Sequence, residues 1–555
     1  MGLLPYLLAA TLLALNQRVS AALLNISLQN GNVCNYDRTD RVDCSLFATP
    51  GKTACLARGC CWDDSNSPTC FFINGRPVPD PLTSTIVHLF EWSWADIAKE
   101  CTVLQKAGYT AVQVSPPQED ITASATGDRQ EPWYTRYQPV SYKIFSRSGD
   151  RDEFAEMVST CAASGIDIYV DAVINHMTGG PDSTTRTGRA GTQYQYRNFY
   201  GNLYTSSDFH HRQGSGYNQF GNCQIQGPDY SSCEDCVQQC DLGSLADLDT
   251  SSTDVQSKIG AYLNDLKSLG VKGVRIDAAK HINNWDLGKI LQVADPSLYV
   301  YQEVPESCSD VVGPSSYTSY GQVIEFRWTQ MVYEHFTARN LQLLGQEYIS
   351  TCGHVPGPLA VYFVENHDKQ MDCANTQSCA ALTYKNGDLY KVAVAHTLAY
   401  PFGTPKVMSS YTFNSHDEGA PKQPVYHSDG SDNCGRGGWV CQHRFPEIAN
   451  MIQWRITAGQ APISRYYVSP SGQVVQFTRG NKAMLFINVA TSTFNGPLYN
   501  TLLPPGRYCN VYKSGCEVVQ IDANGATVGS VTVAQDSAVA LHVNAMDSGA
   551  ATDEA

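Results

Sequence analysis

The chain has 555 residues, of which 42% are hydrophobic and 16% are charged, so a sizeable core is possible and wholesale disorder is excluded. Its 38 Lys and Arg residues against 53 Asp and Glu residues give a net charge of −15. This charge argues against nucleic acids, polyanions and anionic membranes as partners and favours a neutral substrate. The length favours several domains.

The N-terminus has the pattern of a secretory signal peptide. An apolar run over residues 3–15 is too short to span a bilayer, and the small residues Val-Ser-Ala follow at 19–21. We expect residues 1–21 to be cleaved, with a membrane anchor as the alternative. The tail has no hydrophobic segment or retention signal, so we expect a secreted, extracellular protein. Asn25 begins the sequon Asn-Ile-Ser and is a predicted glycosylation site.

Six cysteines lie in a segment too small to fold on a hydrophobic core alone, so disulfides must stabilise it. Spacing does not choose among the possible connectivities. The segment, with its Gly-Cys-Cys-aromatic-Asp core at residues 59–63, resembles a trefoil (P-type) domain, which we place at residues 32–76. The resemblance implies the bridges Cys34–Cys61, Cys44–Cys60 and Cys55–Cys70. A glycan or mucin partner is one interpretation of this module, and a folded spacer is the other.

Beyond a proline-containing linker at residues 77–81, short apolar runs alternate with amphipathic stretches. The apolar runs predict strands at residues 86–90, 111–115, 168–173, 271–276, 299–302, 323–326, 360–364 and 406–409. The amphipathic stretches predict helices that include residues 94–106, 151–163 and 253–269. Repeated β-then-α units predict an α/β fold, a (β/α)8 TIM barrel, over residues 82–462.

One connection is too long for this repeat. Residues 176–248 are rich in Gly, Ser, Tyr and Asn, contain four cysteines and show no convincing helix. We therefore expect an inserted loop subdomain after strand 3. Beyond residue 462 the pattern changes to short alternating segments at 474–478, 483–489, 528–533 and 538–543. They predict a C-terminal all-β domain, a β-sandwich, over residues 465–546.

Three carboxylates follow predicted strands, at the end of the barrel where active sites form. Asp277 closes GVRID, Glu303 closes VYQE and Asp368 closes FVENHD. A single carboxylate in such a place is more often a helix cap or an ion-pair partner, but three together indicate catalysis. Arg275 lies two residues before Asp277, so both side chains point to one face and the guanidinium can keep that carboxylate ionised.

The motifs DAVINH, GVRIDAAKH, YQEV and FVENHD resemble the sequence blocks of the α-amylase family, glycoside hydrolase family 13. HLFEW, VQVSPP, WYTRYQPVSY and YVDAVINHM are similar to animal-type α-amylases, and the resemblance runs from about residue 85 to residue 543. It implies a secreted endo-hydrolase of α-1,4-glucosidic bonds in starch, glycogen and related α-glucans. The implied mechanism retains configuration through a covalent glycosyl-enzyme, and we expect a monomer.

Retaining glycosidases need a carboxylate nucleophile and a protonated carboxylic acid about 5–5.5 Å apart. The resemblance assigns Asp277 as nucleophile, Glu303 as acid/base and Asp368 as the carboxylate that binds the reacting sugar. Aromatic side chains suit stacking on pyranose rings. The implied substrate-binding residues are Trp133, Tyr134, Tyr137, Gln138, Asp171, His176, Arg275, Lys280, His281 and His367. A structural role is the alternative for Tyr134 and Lys280.

A structural Ca²⁺ site is also implied. Ca²⁺ takes about six to eight oxygen ligands, often carboxylate, amide and main-chain carbonyl together. The family pattern maps onto Asn175, Asp247 and the carbonyl oxygens of Gln238 and His281. These ligands would join the inserted subdomain to the barrel. A helix cap is the alternative for Asp247.

The remaining cysteines are paired by the same resemblance. Family bridges correspond to Cys101–Cys161, Cys223–Cys240, Cys434–Cys441 and Cys509–Cys516. Extra bridges would be Cys308–Cys352, Cys373–Cys379 and Cys233–Cys236. Other pairings within the inserted subdomain stay open, as does a zinc site built from its four cysteines.

Two departures from the animal enzymes bear on regulation and specificity. Chloride-binding relatives use two Arg and one Asn, and Arg275 and Asn366 match the first Arg and the Asn. Thr412 stands where we expect the second Arg, so Arg275 is the only evident cation and we expect no chloride requirement. After Asp368, MDCANTQSCAA replaces a flexible Gly-rich loop and should stiffen one wall of the cleft.

Two rival functions stay open on sequence alone. One is another α-glucan-active member of the family, such as a maltogenic hydrolase or a transglycosylase. The other is a non-catalytic glycan-binding or defence protein. The intact Asp277, Glu303 and Asp368 argue against the second, and a product profile on soluble starch would separate all three.

Overall fold

The computed structural model describes residues 76–547 except 181–183, 202, 214–220, 343, 345–354 and 375–378. Before residue 76 it describes residues 28–29, 32–33, 42–43, 52, 61–62, 64 and 70–72. The chain divides into two compact units, Met1–Gly75 and Arg76–Ala555. Asn25 and the three predicted trefoil bridges involve residues outside this description.

In the first unit, short strands form two small antiparallel sheets. Leu28–Gln29 pairs with Asn32–Val33. Cys70–Phe72 lies between Val42–Asp43 and Cys61–Trp62 in a three-stranded sheet. The unit therefore has the short-stranded character expected of a small disulfide-rich module.

In the second unit, eight parallel strands close into a barrel, which confirms the predicted fold class. The strands are β1 Ile86–Leu89, β2 Ala111–Val114, β3 Asp167–Ala172, β4 Gly273–Ile276, β5 Tyr299–Gln302, β6 Gln322–Ile324, β7 Ala360–Tyr362 and β8 Thr404–Ser409. Their residues are almost all buried because helices cover the outside and side chains fill the inside. The predicted bounds differ by a few residues, and Phe326 begins a helix instead of ending β6.

Helices follow most of the strands. They are α1 Trp94–Ala107, α2 Arg151–Ala163, α3 Thr253–Ser268, α4 Asn284–Val293, α5 Phe326–Thr337, α6 His367–Asp372, α7 Asp388–Ala399 and α8 Pro446–Ala458. Polar caps set their starts: Ser93 accepts from the Asp96 N–H at α1, and Asp150 forms a capping box with Glu153 at α2. Among the described residues, no helix is long and apolar enough to cross a membrane.

The inserted segment leaves the barrel after β3 and returns before α3. Strand His176–Met177 pairs with Ala246–Asp247 and closes its base. Its other elements are strands Arg186–Thr187, Gln193–Gln195 and Asn198–Phe199, the 3-10 helix Ser206–Asp208, and helices Asp229–Ser232 and Glu234–Gln239. The expectation that this segment lacks helices is wrong. Both helices are too short to show a hydrophobic period, and Cys233 caps the second through a hydrogen bond from the Cys236 N–H.

Disulfides cross-link the second unit. Among the described residues they are Cys101–Cys161, Cys223–Cys240, Cys233–Cys236, Cys373–Cys379, Cys434–Cys441 and Cys509–Cys516. Cys308 is also disulfide-bonded, and its predicted partner Cys352 lies outside the described residues. Because the four cysteines of the inserted subdomain form two bridges, they supply no thiolate for the zinc alternative.

The C-terminal region is all β, as predicted. Ile463–Val468, Val474–Arg479, Ala483–Asn488 and Ser537–His542 form a four-stranded antiparallel sheet. Phe494–Gly496 pairs with Val531–Val533, and Gly506–Asn510 pairs with Glu517–Ile521. Inward side chains build a separate core that includes Met484, Phe486, Tyr508, Val539 and Leu541.

Candidate active site

The carboxyl ends of β4, β5 and β7 bring the three predicted catalytic carboxylates to one end of the barrel. Asp277 directly follows β4, Glu303 directly follows β5, and Asp368 lies in the first turn of α6, after β7. The side chains of Asp277 and Glu303 are 10% and 13% exposed, whereas that of Asp368 is 42% exposed. Solvent reaches all three, and the first two lie deeper.

One guanidinium joins the two deeper carboxylates. Arg275 Nη1 lies 2.9 Å from Asp277 Oδ1 and 2.5 Å from Asp171 Oδ1, and its Nη2 lies 2.7 Å from Glu303 Oε1. The register explains this contact, because Asp171 on β3 pairs with Arg275 on β4 and both side chains point into the barrel. The Ala278 N–H, in a left-handed backbone conformation, donates to Glu303 Oε2 at 2.9 Å. Asp277 and Glu303 therefore face one small space.

The cluster has more acids than cations, and this changes its protonation. Burial, with repulsion from Glu303 and Asp171, raises the pKa of Asp277 well above its usual value although Arg275 opposes the rise. Partial burial and repulsion from Glu303 raise the pKa of Asp368 to about 7. The expectation that Arg275 keeps Asp277 ionised stays a prediction: the guanidinium favours the carboxylate form, whereas burial and the neighbouring acids oppose it. The acids of the cluster thus titrate together and not one by one.

A polar layer inside the barrel was not predicted from the sequence. Gln113 on β2 donates to Asp171 Oδ2 at 3.2 Å and accepts from Tyr301 OH at 2.7 Å and Lys406 Nζ at 2.8 Å. Burial, followed by repulsion from Arg275, lowers the pKa of Lys406 to about 7. A lysine inside the buried strand TPKVMS was the available signal, because buried lysines are rare unless they are paired.

Lys406 removes the ground for the expectation about chloride. The expectation rests on Arg275 as the only evident cation near the predicted catalytic carboxylates, but Lys406 also interacts electrostatically with Glu303 and Asp368. The premise is therefore wrong. Thr412 accepts a hydrogen bond from Arg129 Nη2 at 3.4 Å. Independence of chloride stays a prediction, without this support.

His367 and two aromatic residues surround Asp368. His367 Nε2 lies 3.3 Å from Asp368 Oδ1, and Asn366 Nδ2 donates to Oδ2 at 3.1 Å. The Tyr137 ring stacks on His367 with centroids 5.2 Å apart, and Trp133 meets the same ring edge-on at 5.6 Å. Burial lowers the pKa of His367 well below its usual value, so the imidazole is a neutral hydrogen-bonding group. The Asp368 carboxylate thus lies beside hydrogen-bonding groups of His367 and Asn366, and two aromatic rings pack against His367.

Tyr134 lies on the same 3-10 helix, Trp133–Tyr137, and is half-buried. Its ring centroid is 6.4 Å from that of Trp133, at a steep angle. Tyr134 therefore extends the row of aromatic rings formed by Trp133 and Tyr137, and we call these three residues the aromatic wall.

Several of the predicted substrate-binding residues form hydrogen bonds or ion pairs with other residues of the protein. His176 Nε2 lies 3.0 Å from the Tyr137 carbonyl, and Gln138 Oε1 accepts from a threonine hydroxyl at 3.0 Å. Asp171 and Arg275 are fully buried. These contacts hold the four side chains in place, and their predicted role in binding substrate stays a prediction.

Lys280 and His281 line a cavity of about 340 Å³. Lys280 Nζ donates to the Pro305 carbonyl at 2.6 Å and pairs with Asp310. The Lys280 N–H donates to the Glu303 carbonyl at 3.2 Å, which links this cavity to the predicted acid/base. Burial lowers the pKa of His281 to about 4, so its ring is neutral. The position suits the sugar on the leaving-group side of the scissile bond.

A buried glutamate holds the aromatic wall in place. Glu91 follows β1 with φ 66°, a left-handed conformation that is strained for a residue other than glycine. Its carboxylate accepts from Arg147 Nε at 2.9 Å and Nη2 at 2.6 Å and lies 3.6 Å from Arg136 Nη1. Arg147 also donates to carbonyls at the start of the 3-10 helix Trp133–Tyr137. Sequence reasoning missed this network because its members lie far apart in the chain.

The structure brings two of the predicted calcium ligands, Asn175 and Asp247, into contact, and it places Gln238 and His281 on segments that contact each other. Asn175 Nδ2 lies 3.3 Å from Asp247 Oδ1. His281 Nδ1 lies 2.8 Å from the carbonyl of Val237, the neighbour of Gln238. His176, which follows Asn175, interacts electrostatically with His281. The ligands from the inserted subdomain and the barrel are therefore close together.

The donor set fits Ca²⁺. Asp247 is buried, and burial raises its pKa to about 6, so a nearby cation would stabilise its ionised form. His210 Nδ1 already contacts Asp247 Oδ2 at 2.6 Å. Gln238 and His281 lie at the ends of short helices, where carbonyl oxygens lack helical donors. Among the described residues no cluster of three or more His, Cys, Asp or Glu could hold a metal, so the predicted site depends on amide and main-chain oxygens beside the single carboxylate of Asp247.

Comparison with protein families gives three matches along the chain. Residues 34–73 match the trefoil (P-type) domain. Residues 94–311 match the α-amylase catalytic domain, and residues 467–544 match the α-amylase C-terminal all-β domain. The matched segments agree with the order of the modules described above.

Similar proteins and structures extend over most of the chain. An α-amylase-related protein of Drosophila mauritiana is 36% identical over 497 residues, 83% of this chain and 94% of its own. An α-amylase of Streptomyces violaceus is 37% identical over 476 residues, 85% of this chain and 76% of its own. A crystal structure of a mutant α-amylase I with maltohexaose from Eisenia fetida superposes with a TM-score of 0.73 at 32% identity, covering 84% of this chain and 97% of that one. The wild-type structure from the same animal gives 0.72 at 31% identity.

Proposed function

Since the chain belongs to the α-amylase family of glycoside hydrolases, we propose that it is a secreted endo-hydrolase of α-1,4-glucosidic bonds that retains configuration at the cleaved carbon. One observation carries the proposal. A single guanidinium contacts both Asp277 and Glu303, and Asp368 lies beside them. Two carboxylates held on one guanidinium suit the short separation of about 5–5.5 Å in retaining enzymes better than the longer one of inverting enzymes.

In the first step, Asp277 attacks the anomeric carbon while Glu303 gives its proton to the glycosidic oxygen. The bond to the leaving sugar breaks and an ester to Asp277 forms. In the second step, Glu303 takes a proton from water, the water oxygen attacks the same carbon, and Asp277 leaves as a carboxylate.

Other side chains place the sugar. Asp368 and neutral His367 would bind hydroxyls of the reacting glucose, and Trp133 and Tyr137 would stack on sugar faces. Arg275 orients both reacting carboxylates. The cavity lined by Lys280 would take the leaving-group side of the chain.

A product profile on soluble starch tests the proposal. Viscosity should fall quickly while little reducing sugar forms, because internal bonds are cut first. The first sugars detected by NMR should carry the α-configuration at the new reducing end. Release of maltose alone would instead identify an exo-acting relative, and a β-configured first product would exclude the double displacement.

We also propose that Ca²⁺ is held by Asn175, Asp247 and the carbonyls of Gln238 and His281. When bound, the ion supplies a positive charge that joins the inserted subdomain to the barrel beside the nucleophile strand. Its role is structural. The buried Asp247 carboxylate and the helix-end carbonyls support this assignment.

The remaining proposals concern export and domain limits. We propose a signal peptide at residues 1–21, a trefoil domain at 32–76, a catalytic barrel at 82–462 with its insertion at 176–248, and a C-terminal β-sandwich at 465–546. The disulfides and the trefoil match support an extracellular location, and we propose that the protein is a monomer. A glycan or mucin ligand for the trefoil domain, and glycosylation at Asn25, are part of the same proposal.

A further inference from the structure

A second cavity, of about 980 Å³, lies beside the inserted subdomain, and neither Asp277, Glu303 nor Asp368 lines it. One wall is formed by residues 141–145, and the facing wall, on the inserted subdomain, is formed by Ala190, Thr192, Gln193, Tyr200, Gly201 and Leu203. The start of α2 and Asp265 of α3 complete the lining. Its volume is at the upper end of the range of about 300–1,000 Å³ that ligand sites occupy.

The two walls are fixed to each other by one buried carboxylate. Glu119 accepts from Ser141 Oγ at 2.5 Å on one wall and from the N–H groups of Ala190 and Thr192 at 2.7 and 3.1 Å on the other. Lys143 Nζ also crosses to Thr192 Oγ1 at 2.7 Å. A ligand would therefore meet a preformed cavity, which lowers the entropic cost of binding.

The lining combines exposed aromatic rings with hydrogen-bonding groups. Phe145 on one wall is 38% exposed and Tyr200 on the other is 41% exposed, high values for such side chains. Arg151 and Asp265 form a bidentate pair at 2.6 and 2.7 Å on the rim and place donors beside acceptors. This pattern suits adjacent hydroxyls on a flat sugar ring.

The charges exclude an anionic ligand. The lining carries the acidic Asp150, Asp152 and Asp265 against the basic Lys143 and Arg151, within a chain of net charge −15. A phosphate or acidic polysaccharide would meet net repulsion. A neutral polyol avoids this penalty and can stack on the rings.

We propose that this cavity is a second, non-catalytic binding site for an α-glucan chain. The choice of α-glucan rests on the proposed function, whereas the cavity itself does not. Binding here would hold a long polymer at the enzyme surface and raise its effective concentration at the catalytic cleft. Short oligosaccharides, which cannot reach both places, would gain nothing.

Binding is measured by affinity electrophoresis of the full chain carrying Asp277→Asn, in gels with and without amylopectin. Adding Tyr200→Ala or Phe145→Ala should raise the dissociation constant several-fold, because only the catalytic cleft still binds. Tyr200→Phe keeps the ring and should keep the retardation. Val103→Ala is the matched control, since Val103 is 38% exposed like Phe145 but lies on α1.

The active enzyme gives an independent readout. Tyr200→Ala should leave kcat/KM on maltopentaose unchanged and lower the rate on starch granules several-fold. Equal retardation of Tyr200→Ala and its parent would overturn the site, and equal retardation in dextran gels would overturn the α-1,4-glucan ligand. Failure of the wild type to hydrolyse maltopentaose would instead refute the proposed function, because the gel does not depend on hydrolysis.

Discussion

Glu91→Gln is the most direct test of how the aromatic wall is held. The substitution keeps the size of the side chain and one carbonyl acceptor but removes the charge that faces Arg136 and Arg147. Both arginines are buried or nearly so, with side chains 0% and 8% exposed. Removing one partner of a buried ion pair costs about 3–5 kcal/mol, because the other charge stays buried without compensation.

The structure places the cost near the lower end of that range. Arg136 keeps two bonds to the Pro116 carbonyl and one to Ser148, and Arg147 keeps its bonds to Thr135 and main-chain carbonyls. We therefore expect the free energy of unfolding of the barrel to fall by about 3 kcal/mol. KM for oligosaccharides should rise more than kcat falls, since the 3-10 helix Trp133–Tyr137 loosens and the carboxylates do not move.

The measurement is urea unfolding followed by tryptophan fluorescence, with kcat and KM on maltopentaose measured on the same preparations. Glu334→Gln is the control: Glu334 is an exposed carboxylate that accepts from Gln330 at 2.8 Å, and its loss should change stability by less than about 0.5 kcal/mol. If Glu91→Gln loses less than about 1 kcal/mol and keeps its KM, the buried pair does not hold the wall and the reasoning is refuted.

Four further predictions follow from the site. Glu303→Gln and Asp277→Asn should each lower kcat at least about 100-fold with unchanged circular dichroism, and retention of more than a few per cent of activity would contradict their roles. Chelation of Ca²⁺ should lower the melting temperature and added Ca²⁺ should restore it, whereas an unchanged melting curve after confirmed metal loss would count against the site. Activity on starch should be nearly equal in chloride and in sulfate at equal ionic strength, and a several-fold activation by chloride that grows as the pH falls through about 7 and Lys406 gains its proton would contradict this. Burial raises the pKa of the Glu365 carboxyl group to about 8. The folded protein therefore keeps a proton that the unfolded chain releases above about pH 4, and the free energy of unfolding falls as the pH rises from there towards 8. Glu365→Gln should show a flatter dependence of melting temperature on pH.

The barrel and its three carboxylates could be predicted because each is a local pattern. Most positions of each barrel strand are apolar, and a parallel barrel places the residue after each strand at the same end. The positions of Asp277 and Glu303 follow from that rule alone. Their contact with a shared Arg275 also follows, since residues two apart on a strand point the same way.

What the sequence did not reveal depends on contacts between distant segments. Lys406 lies on β8 and meets Gln113 on β2, a separation of 293 residues. The pKa of Asp277 depends on how many carboxylates contact Arg275, and the spacing of residues along the chain does not reveal that number. The helix Glu234–Gln239 is only six residues long and is capped by a cysteine, so neither periodicity nor a usual cap residue marks it.

One small cluster within the inserted subdomain consists mainly of cysteine side chains. Cys223, Cys236 and Cys240 are its buried members, with Cys233 and Ile225 packed against them. A newly made chain in a reducing compartment would lack both bridges and has almost no other apolar side chain in this cluster to replace them. The same segment supplies the Val237 carbonyl that orients His281. The position of the His281 ring therefore depends on these two bridges, and a chain folded under reducing conditions should hold this ring less firmly.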